Sequence, residues 1–136
     1  VQYSKYLSTP VRMAGMGEVD ISVAVQSEVM RYIHQGYPLQ IIYPEDGTAY
    51  TLTGVGLVEG AKNEEQAEAF AEWLLSDEAQ LTLQSREFFF VPLNPVTIAY
   101  KSFPGKDVVL FSRSQDFSPS QRHDLLDRWV KEVRLQ

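Results

Sequence analysis

The chain has 136 residues, a formal net charge of -6 at pH 7 and no cysteine. The acidic balance disfavours a nucleic-acid partner or an anionic membrane surface, because no basic stripe is present to replace phosphate counterions. The lack of cysteine excludes disulfide scaffolds, thiolate nucleophiles and Cys-ligated zinc, and it slightly favours an oxidising compartment. With 44% hydrophobic and 22% charged residues, the composition is typical of a soluble globular domain or a piece of a larger bilobal protein.

The first third of the chain predicts two helices around a strand. Ser8 and Thr9 precede a proline, which is a helix-start pattern, so a helix is predicted over residues 10–16. Apolar residues alternate with small or polar ones over residues 18–25, which is the period of a half-buried strand. Ser27 is then the predicted cap of a helix over residues 28–35.

Residues 38–61 are the stretch around which the rest is organised. They are predicted to form an apolar strand, a Pro-Glu-Asp-Gly turn, and a second strand that leads into a helix. Three glycines in the second strand superficially resemble a nucleotide-binding loop. That motif places its glycines between a strand and a helix, so a bulge or a close backbone approach is predicted instead.

The second half is predicted to be mostly helical. Capping boxes at residues 63–66 and 118–121 open helices over residues 63–75 and 119–134, and another helix is predicted over residues 76–85. Residues 88–91 are predicted to be a buried strand or a segment that crosses the core, and residues 107–111 a short strand. The predicted buried helix faces consist of Ala67, Phe70, Ala71 and Leu74, and of Leu125, Leu126, Trp129, Val130 and Val133. Alternating helices and strands indicate an α/β fold.

Signals for catalysis and for metal binding are absent from the sequence. The two histidines, His34 and His123, lie in predicted helices without a paired nucleophile. No metal-ligand spacing, EF-hand or P-loop motif occurs. The sequence therefore predicts a protein that is not an enzyme and has no metal or cofactor.

Polar side chains instead follow the predicted strands or begin the predicted helices. Ser8 and Thr9 lie at one helix start, Gln26 and Ser27 follow the first strand, and Tyr43 ends the next. Helix N-termini favour anions, and loops at strand carboxyl ends converge in an open α/β sheet. We therefore predict that these five residues bind a small polar or anionic ligand, with simple helix capping as the alternative at each place.

Five segments together resemble the later half of type 2 periplasmic solute-binding proteins of ABC importers, and within these the ferric-ion, phosphonate and organophosphate binders. The segments are Gly17-Glu18-Val19-Asp20, Tyr43-Pro44-Glu45-Asp46-Gly47, residues 55–63, residues 65–80, and Val91-Pro92-Leu93-Asn94-Pro95. The resemblance implies a partial type 2 fold, in which two α/β lobes close on a ligand and the loaded protein docks on a membrane permease. It also implies a periplasmic or cell-surface location.

By the same resemblance, residues 1–42 belong to the second lobe, residues 43–58 cross the hinge, and residues 59–136 are the C-terminal helical part of the first lobe. The chain is then expected to be a truncated or processed polypeptide. Iron-binding relatives carry adjacent tyrosines where this chain has Gln26-Ser27-Glu28-Val29, so a phosphonate or phosphorylated organic molecule is expected rather than ferric ion. A ligand-sensing or interaction domain of a receptor is the alternative function. Unpartnered apolar edges also predict self-association.

Overall fold

The computed structural model describes residues 2–111 and 119–135. Over these residues the chain is mostly helical. The helices are α1 (Ser8–Gly15), α2 (Gln26–His34), α3 (Glu64–Leu74), α4 (Asp77–Ser85), α5 (Ile98–Ser102) and α6 (Pro119–Trp129), and a π-helical segment, Val130–Arg134, continues α6. Within the described ranges, no helix combines the length and apolar character that a membrane crossing requires.

Helices α1 and α2 pack against each other near the start of the chain. Val11 of α1 is buried, and Gly15 lies against the ring of Tyr37, where a Cβ atom would stand only 2.8 Å from Cδ1. Both helices begin before their predicted starts. Leu7 already has helical angles (φ -63°, ψ -30°), so Ser8 and Thr9 lie inside the first turn of α1 rather than capping it.

The predicted cap of α2 is wrong by two residues. Val25 has the extended backbone of an N-cap (φ -78°, ψ 131°), and the helix begins at Gln26. Ser27 is therefore its second residue. Since Val25 has no polar side chain, this helix begins without a side-chain cap.

Helices α3, α4 and α5 follow one another along the chain and contact in sequence order. Asn63 occupies the predicted N-cap position of α3, but its backbone (φ -130°, ψ 55°) leaves its side chain without a capping bond. The carboxylate of Glu64 instead accepts a hydrogen bond from the N–H of Gly60 at 3.1 Å. The predicted helix over residues 76–85 is confirmed, with Ser76 Oγ accepting from the N–H of Ala79 at 3.2 Å.

Helix α5 was not predicted, and it supplies much of the core. Ala79 of α4, Ala99 of α5 and Phe103 just after α5 are buried, and Val11 of α1 is the fourth buried hydrophobic residue of the described chain. The short helix begins at a capped Thr97, whose Oγ1 accepts from the N–H of Tyr100 at 3.2 Å. The fold of the second half is thus anchored where α4 and α5 meet.

Regular β-strands do not form over the described residues, so the predicted strands are wrong for this chain. A single parallel bridge joins Thr48 to Leu110, in which Thr48 donates to the carbonyl of Val109 and accepts from the N–H of Phe111. The predicted strand over residues 107–111 is reduced to this bridge. A strand needs a neighbour for its N–H and C=O groups, and the described part of the chain provides none elsewhere.

Several apolar segments that are predicted to be buried are exposed, because they also lack a neighbouring element. In the extended segment 18–25, Ile21 is 84% and Val23 93% exposed, although their alternation predicted a core-facing side. The apolar residues of α6 are also exposed. Among them, Trp129 makes an edge-to-face contact with the ring of Tyr3. Phe70, Phe88, Phe90 and Val91 are likewise exposed. These side chains are apolar, but no element of the described chain covers them.

Two further predictions concern the last helix of the chain and the glycines Gly54 and Gly56. The helix from Pro119 is confirmed, with its last turn widened to a π-helix by the bond from the N–H of Leu135 to the carbonyl of Val130. Its predicted cap, Ser118, lies outside the described residues. The predicted close approach at Gly54 and Gly56 is wrong, since a Cβ atom at either position would meet nothing within 4 Å.

Candidate functional site

Gln26 and Tyr43 meet at a turn late in the chain. Gln26 Nε2 donates a hydrogen bond to the carbonyl oxygen of Pro104 at 3.3 Å. The next residue, Gly105, has a left-handed backbone (φ +73°), and a Cβ atom there would collide with the Tyr43 hydroxyl and lie 3.1 Å from Gln26 Nε2. Glycine is therefore required at position 105 both by its backbone angle and by the space. This turn brings two of the candidate ligand residues together.

Beside this cluster lies an apolar cavity of about 490 Å³. It is formed by the second half of α2, the extended segment after it, and the turn at Gly105. Its apolar and aromatic lining includes Met30, Ile33, Leu39, Ile41, Tyr43 and Phe89. Partial burial raises the pKa of the Tyr43 phenol above its ordinary value of 10.0, so this hydroxyl, which any tyrosine keeps protonated at neutral pH, is still harder to ionise.

A second cavity, of about 270 Å³, is lined by charged side chains. Ser27, Glu28 and Arg31 come from α2, whereas Arg86 and Glu87 come from the end of α4. Arg31 Nη2 is 2.6 Å from Glu28 Oε2, so its charge is already paired. Within the described residues, the side chain of Arg86 has no such ion pair. Arg86 is thus the arginine of this cavity without an ion pair, although Glu28 and Glu87 give the lining as many carboxylates as guanidinium groups.

Glu87 lines the charged cavity and joins the end of α4 to the end of α2. Its carboxylate accepts hydrogen bonds from Gln35 Nε2 at 2.8 Å and from His34 Nδ1, which lies 3.3 Å away. The bond from Gln35 is the main cause that holds the pKa of Glu87 below its usual value, and His34 and Arg31 act in the same direction. Phe89, whose ring centre is 5.8 Å from that of His34, lines both cavities.

The five candidate ligand residues divide into three groups. Gln26 and Tyr43 lie together at the Gly105 turn, and Ser27 lines the charged cavity. Ser8 and Thr9 are half-buried at the start of α1 and line neither cavity.

Sequence reasoning missed three residues that shape this region. Arg31, Arg86 and Gly105 were not among the candidates, although each had a detectable signal. Arg31 follows Glu28 at helical spacing, Arg86 ends a predicted helix, and Gly105 follows a proline as turn residues do. None of these signals indicates by itself that the residue faces a cavity.

Comparison with known proteins identifies the family. Residues 3–88 match the family described as bacterial extracellular solute-binding protein. This match covers more than half of the chain, so the chain belongs to that family. A substrate-binding role in transport, with a small-molecule ligand and a transporter as partner, is the general character of such proteins.

A protein of Haemophilus influenzae, described as an uncharacterized protein, is 31% identical to this chain over 140 residues. The alignment covers 98% of this chain and 40% of that relative, so the chain spans less than half of the relative's length. No solved structure matches the chain significantly.

Proposed function

We propose that this chain forms one part of the ligand-binding cleft of an ABC importer's solute-binding protein. It captures a small anionic solute, a phosphonate or a phosphorylated organic molecule, without catalysing a reaction on it. The observation that carries this proposal is the position of the two cavities. Each has one wall from residues 1–42 and another from residues 59–136, the portions that we assign to the second and first lobes of a type 2 binding fold.

The chemistry of the two cavities supports an organic anion. Arg86 offers an unpaired guanidinium, and Ser27 adds a hydroxyl close to the N-terminus of α2, where free N–H groups favour negative charge. The neighbouring apolar cavity suits the carbon skeleton of the same solute. A ferric ion is a poorer match, because hard cations prefer anionic oxygen ligands and partial burial disfavours ionisation of the Tyr43 phenol.

Neutral hydrogen-bond groups complete the proposed site. Gln26 and the Tyr43 hydroxyl converge beside the Gly105 turn, where each can bond a polar atom of the solute. Ser8 and Thr9 remain in the proposal as hydroxyl groups at the start of α1, which packs on α2. These two residues can contact the solute only if the solute reaches toward α1 or if a movement of the lobes brings α1 closer to the cavities.

The proposal also covers the fold, the partner and the location. In the complete binding protein, residues 43–58 cross between the lobes, and segment 18–25 pairs with strands outside this chain to form the α/β sheet. Support comes from the exposure of Ile21 and Val23 and from the greater length of the H. influenzae relative. The loaded protein docks on a membrane permease from the periplasmic or extracellular side.

Calorimetric titration of the whole binding protein with methylphosphonate, a sugar phosphate and ferric ion tests this function. We expect a phosphorus-containing anion to bind, and we expect Arg86→Gln to weaken that binding roughly 10- to 100-fold, because a charge-assisted hydrogen bond is lost. Arg12→Gln is the matched control, since Arg12 is an exposed arginine of α1 outside both cavities. Absence of binding to every small solute would contradict the proposal.

A further inference from the structure

We infer that Glu87 is a positioning residue whose carboxylate clasps the end of α2 and thereby keeps the two cavities apart. The inference rests on the proposed function in one respect, since a single solute can occupy both cavities only when the clasp is open. The clasp itself is a property of this chain that can be measured without any ligand. We define it as the group formed by Glu87, His34 and Gln35.

The backbone of Glu87 is the first observation. Glu87 has φ 66°, and among the described residues it alone is a non-glycine residue with a positive φ. It follows α4 in a Schellman arrangement, in which the N–H of Glu87 bonds the carbonyl of Gln84 and the N–H of Phe88 bonds that of Leu83, both at 3.0 Å. Glycine is the usual residue at this left-handed position, so a side chain here is strained. Strained backbone positions of this kind cluster at functional sites, so the contacts of the Glu87 side chain are informative.

The second observation is that, within residues 2–111 and 119–135, this side chain bonds only to the end of another helix. Its carboxylate oxygens accept from Gln35 Nε2 at 2.8 Å and meet His34 Nδ1 at 3.3 Å. His34 is the last residue of α2, and Gln35 is its C-cap. The carboxylate therefore holds the C-terminal end of α2 against the chain that leaves α4.

The third observation is how the cavities are divided. Helix α2 contributes Ser27 and Arg31 to the charged cavity, whereas Met30, Ile33 and His34 line the apolar one. Phe89 lines both cavities and packs on the His34 ring. The end of α2 and the Phe89 ring therefore form the wall between them. Loss of the clasp frees His34 and Phe89 and joins the two cavities into one cleft.

The clasp depends on pH, because Glu87 must be ionised to accept both bonds. The charged or titratable groups that face it are Arg31 and His34 of α2, with Glu28 bound to Arg31, and Arg86 beside it in the chain. The pKa of Glu87 is lowered in the folded chain from its usual 4.5. Its stabilising contribution is therefore present above the usual value and is lost as the pH falls through the lowered folded value.

Amide hydrogen exchange of the 136-residue chain tests the clasp. The reporters are the amides of Gln35, Gly36 and Tyr37, which bond to carbonyls inside α2, and the amide of Leu75 at the end of α3 is the internal control. We expect Glu87→Gly to lower the protection of the three reporter amides roughly two- to fivefold and to leave Leu75 unchanged, because two solvent-exposed hydrogen bonds to a charged group are lost. Glycine also relieves the strained backbone, so this variant is not expected to unfold.

Glu87→Gln is the conservative variant that separates the clasp from a purely structural role. The amide keeps one acceptor, so it should restore part of the protection, but it cannot ionise. We expect wild-type protection at the reporter amides to fall as the pH is lowered below 4.5, and protection in Glu87→Gln to show no such step. The methyl resonances of Met30 and Ile33 report the wall of the apolar cavity and should shift in Glu87→Gly.

Equal or greater protection of the reporter amides in Glu87→Gly would overturn the inference, because the side chain would then serve only the helix end. Unshifted methyl resonances of Met30 and Ile33 would overturn the partition between the cavities. These measurements contain no solute. A failed solute titration with an intact clasp would therefore count against the proposed function alone.

Discussion

Asp77 and Ala99 are joined by a hydrogen bond that fixes the start of α5 on the start of α4. Asp77 Oδ1 accepts from the N–H of Ala99 at 2.8 Å, and Oδ2 accepts from the N–H of Ile98 at 3.0 Å. The first N–H groups of a helix have no partner within it, and a carboxylate there also interacts favourably with the helix dipole. One side chain of α4 thus satisfies two donors of a helix that is too short to be stable alone.

Replacement of Asp77 by alanine should destabilise the chain by about 1–2 kcal/mol, because the buried N–H of Ala99 and the exposed N–H of Ile98 both lose a charged acceptor. Urea unfolding followed by circular dichroism measures this change. Glu78→Ala is the matched control, since it removes an acidic side chain from the same turn of α4 without touching α5. Equal destabilisation by both variants would show that the effect comes from the charge near α4 and not from the cap of α5.

A matched pair of valines tests whether burial of Val11 in α1 stabilises the chain. Val11 is 1% exposed and Val58 is 74% exposed. We expect Val11→Ala to cost about 1–3 kcal/mol, the sum of lost burial and the cavity left behind, and Val58→Ala to change stability by less than about 0.5 kcal/mol. The same unfolding measurement serves both variants. If Val11→Ala left the free energy of unfolding unchanged, burial of Val11 would not stabilise α1.

Local signals predicted the helices well, and the reason is physical. Capping residues and apolar periodicity act within a few residues, so α3 and α4 appear within one residue of their predicted bounds, and α6 with its π-helical continuation covers the predicted residues 119–134. The details of each cap depend on backbone angles that composition does not determine. At Asn63 the backbone turns the expected capping side chain away, and Glu64 bonds the preceding loop instead.

Contacts between distant residues were not predictable in the same way. Segment 18–25 has the alternation of a strand, but a strand forms only with a neighbour, and the described residues bring none beside it. The meeting of Gln26 with Tyr43 depends on the turn at Gly105, far along the chain. The cap of α5 depends likewise on Asp77 from another helix. Sequence reasoning proposed some of the site's side chains but not the elements that bring them together.

The Tyr43 hydroxyl should titrate at higher pH than an ordinary tyrosine, because burial against Gly105 disfavours the phenolate. A raised folded pKa means that this group's contribution to stability is complete below its unfolded value near 10 and is lost as the pH rises through the folded value. Ultraviolet difference titration of the tyrosines measures the effect. We expect Tyr43→Phe to remove the high-pH component.

Tyr6→Phe is the control for the loss of one phenol, since Tyr6 is exposed near the start of the chain. It should leave the high-pH component in place. If Tyr43→Phe and Tyr6→Phe changed the titration curve in the same way, the Tyr43 hydroxyl would not be enclosed by the Gly105 turn.

The amount of exposed surface predicts that the chain associates. The chain exposes 11249 Å², whereas a compact monomer of 15.5 kDa is expected to expose about 7,200 Å². Nine residues lie outside the described ranges, and even full exposure would give them only about 1,400 Å². The remaining excess exceeds the roughly 800 Å² that each partner buries in an ordinary interface. Much of it is apolar, including Ile21, Val23 and the exposed side of α6.

We therefore expect the isolated chain to form dimers or larger assemblies whose mass rises with concentration in multi-angle light scattering. The exposed segment 18–25 is the expected contact, because its apolar side chains accompany unpaired backbone groups that another chain can bond. The double variant Ile21→Lys and Val23→Lys should lower the measured mass, since charged side chains block edge pairing. Thr51→Lys with Thr53→Lys adds the same charge at exposed polar positions and should leave association unchanged. A constant monomer mass across concentrations would contradict the prediction, and equal effects of both double variants would assign any change to net charge.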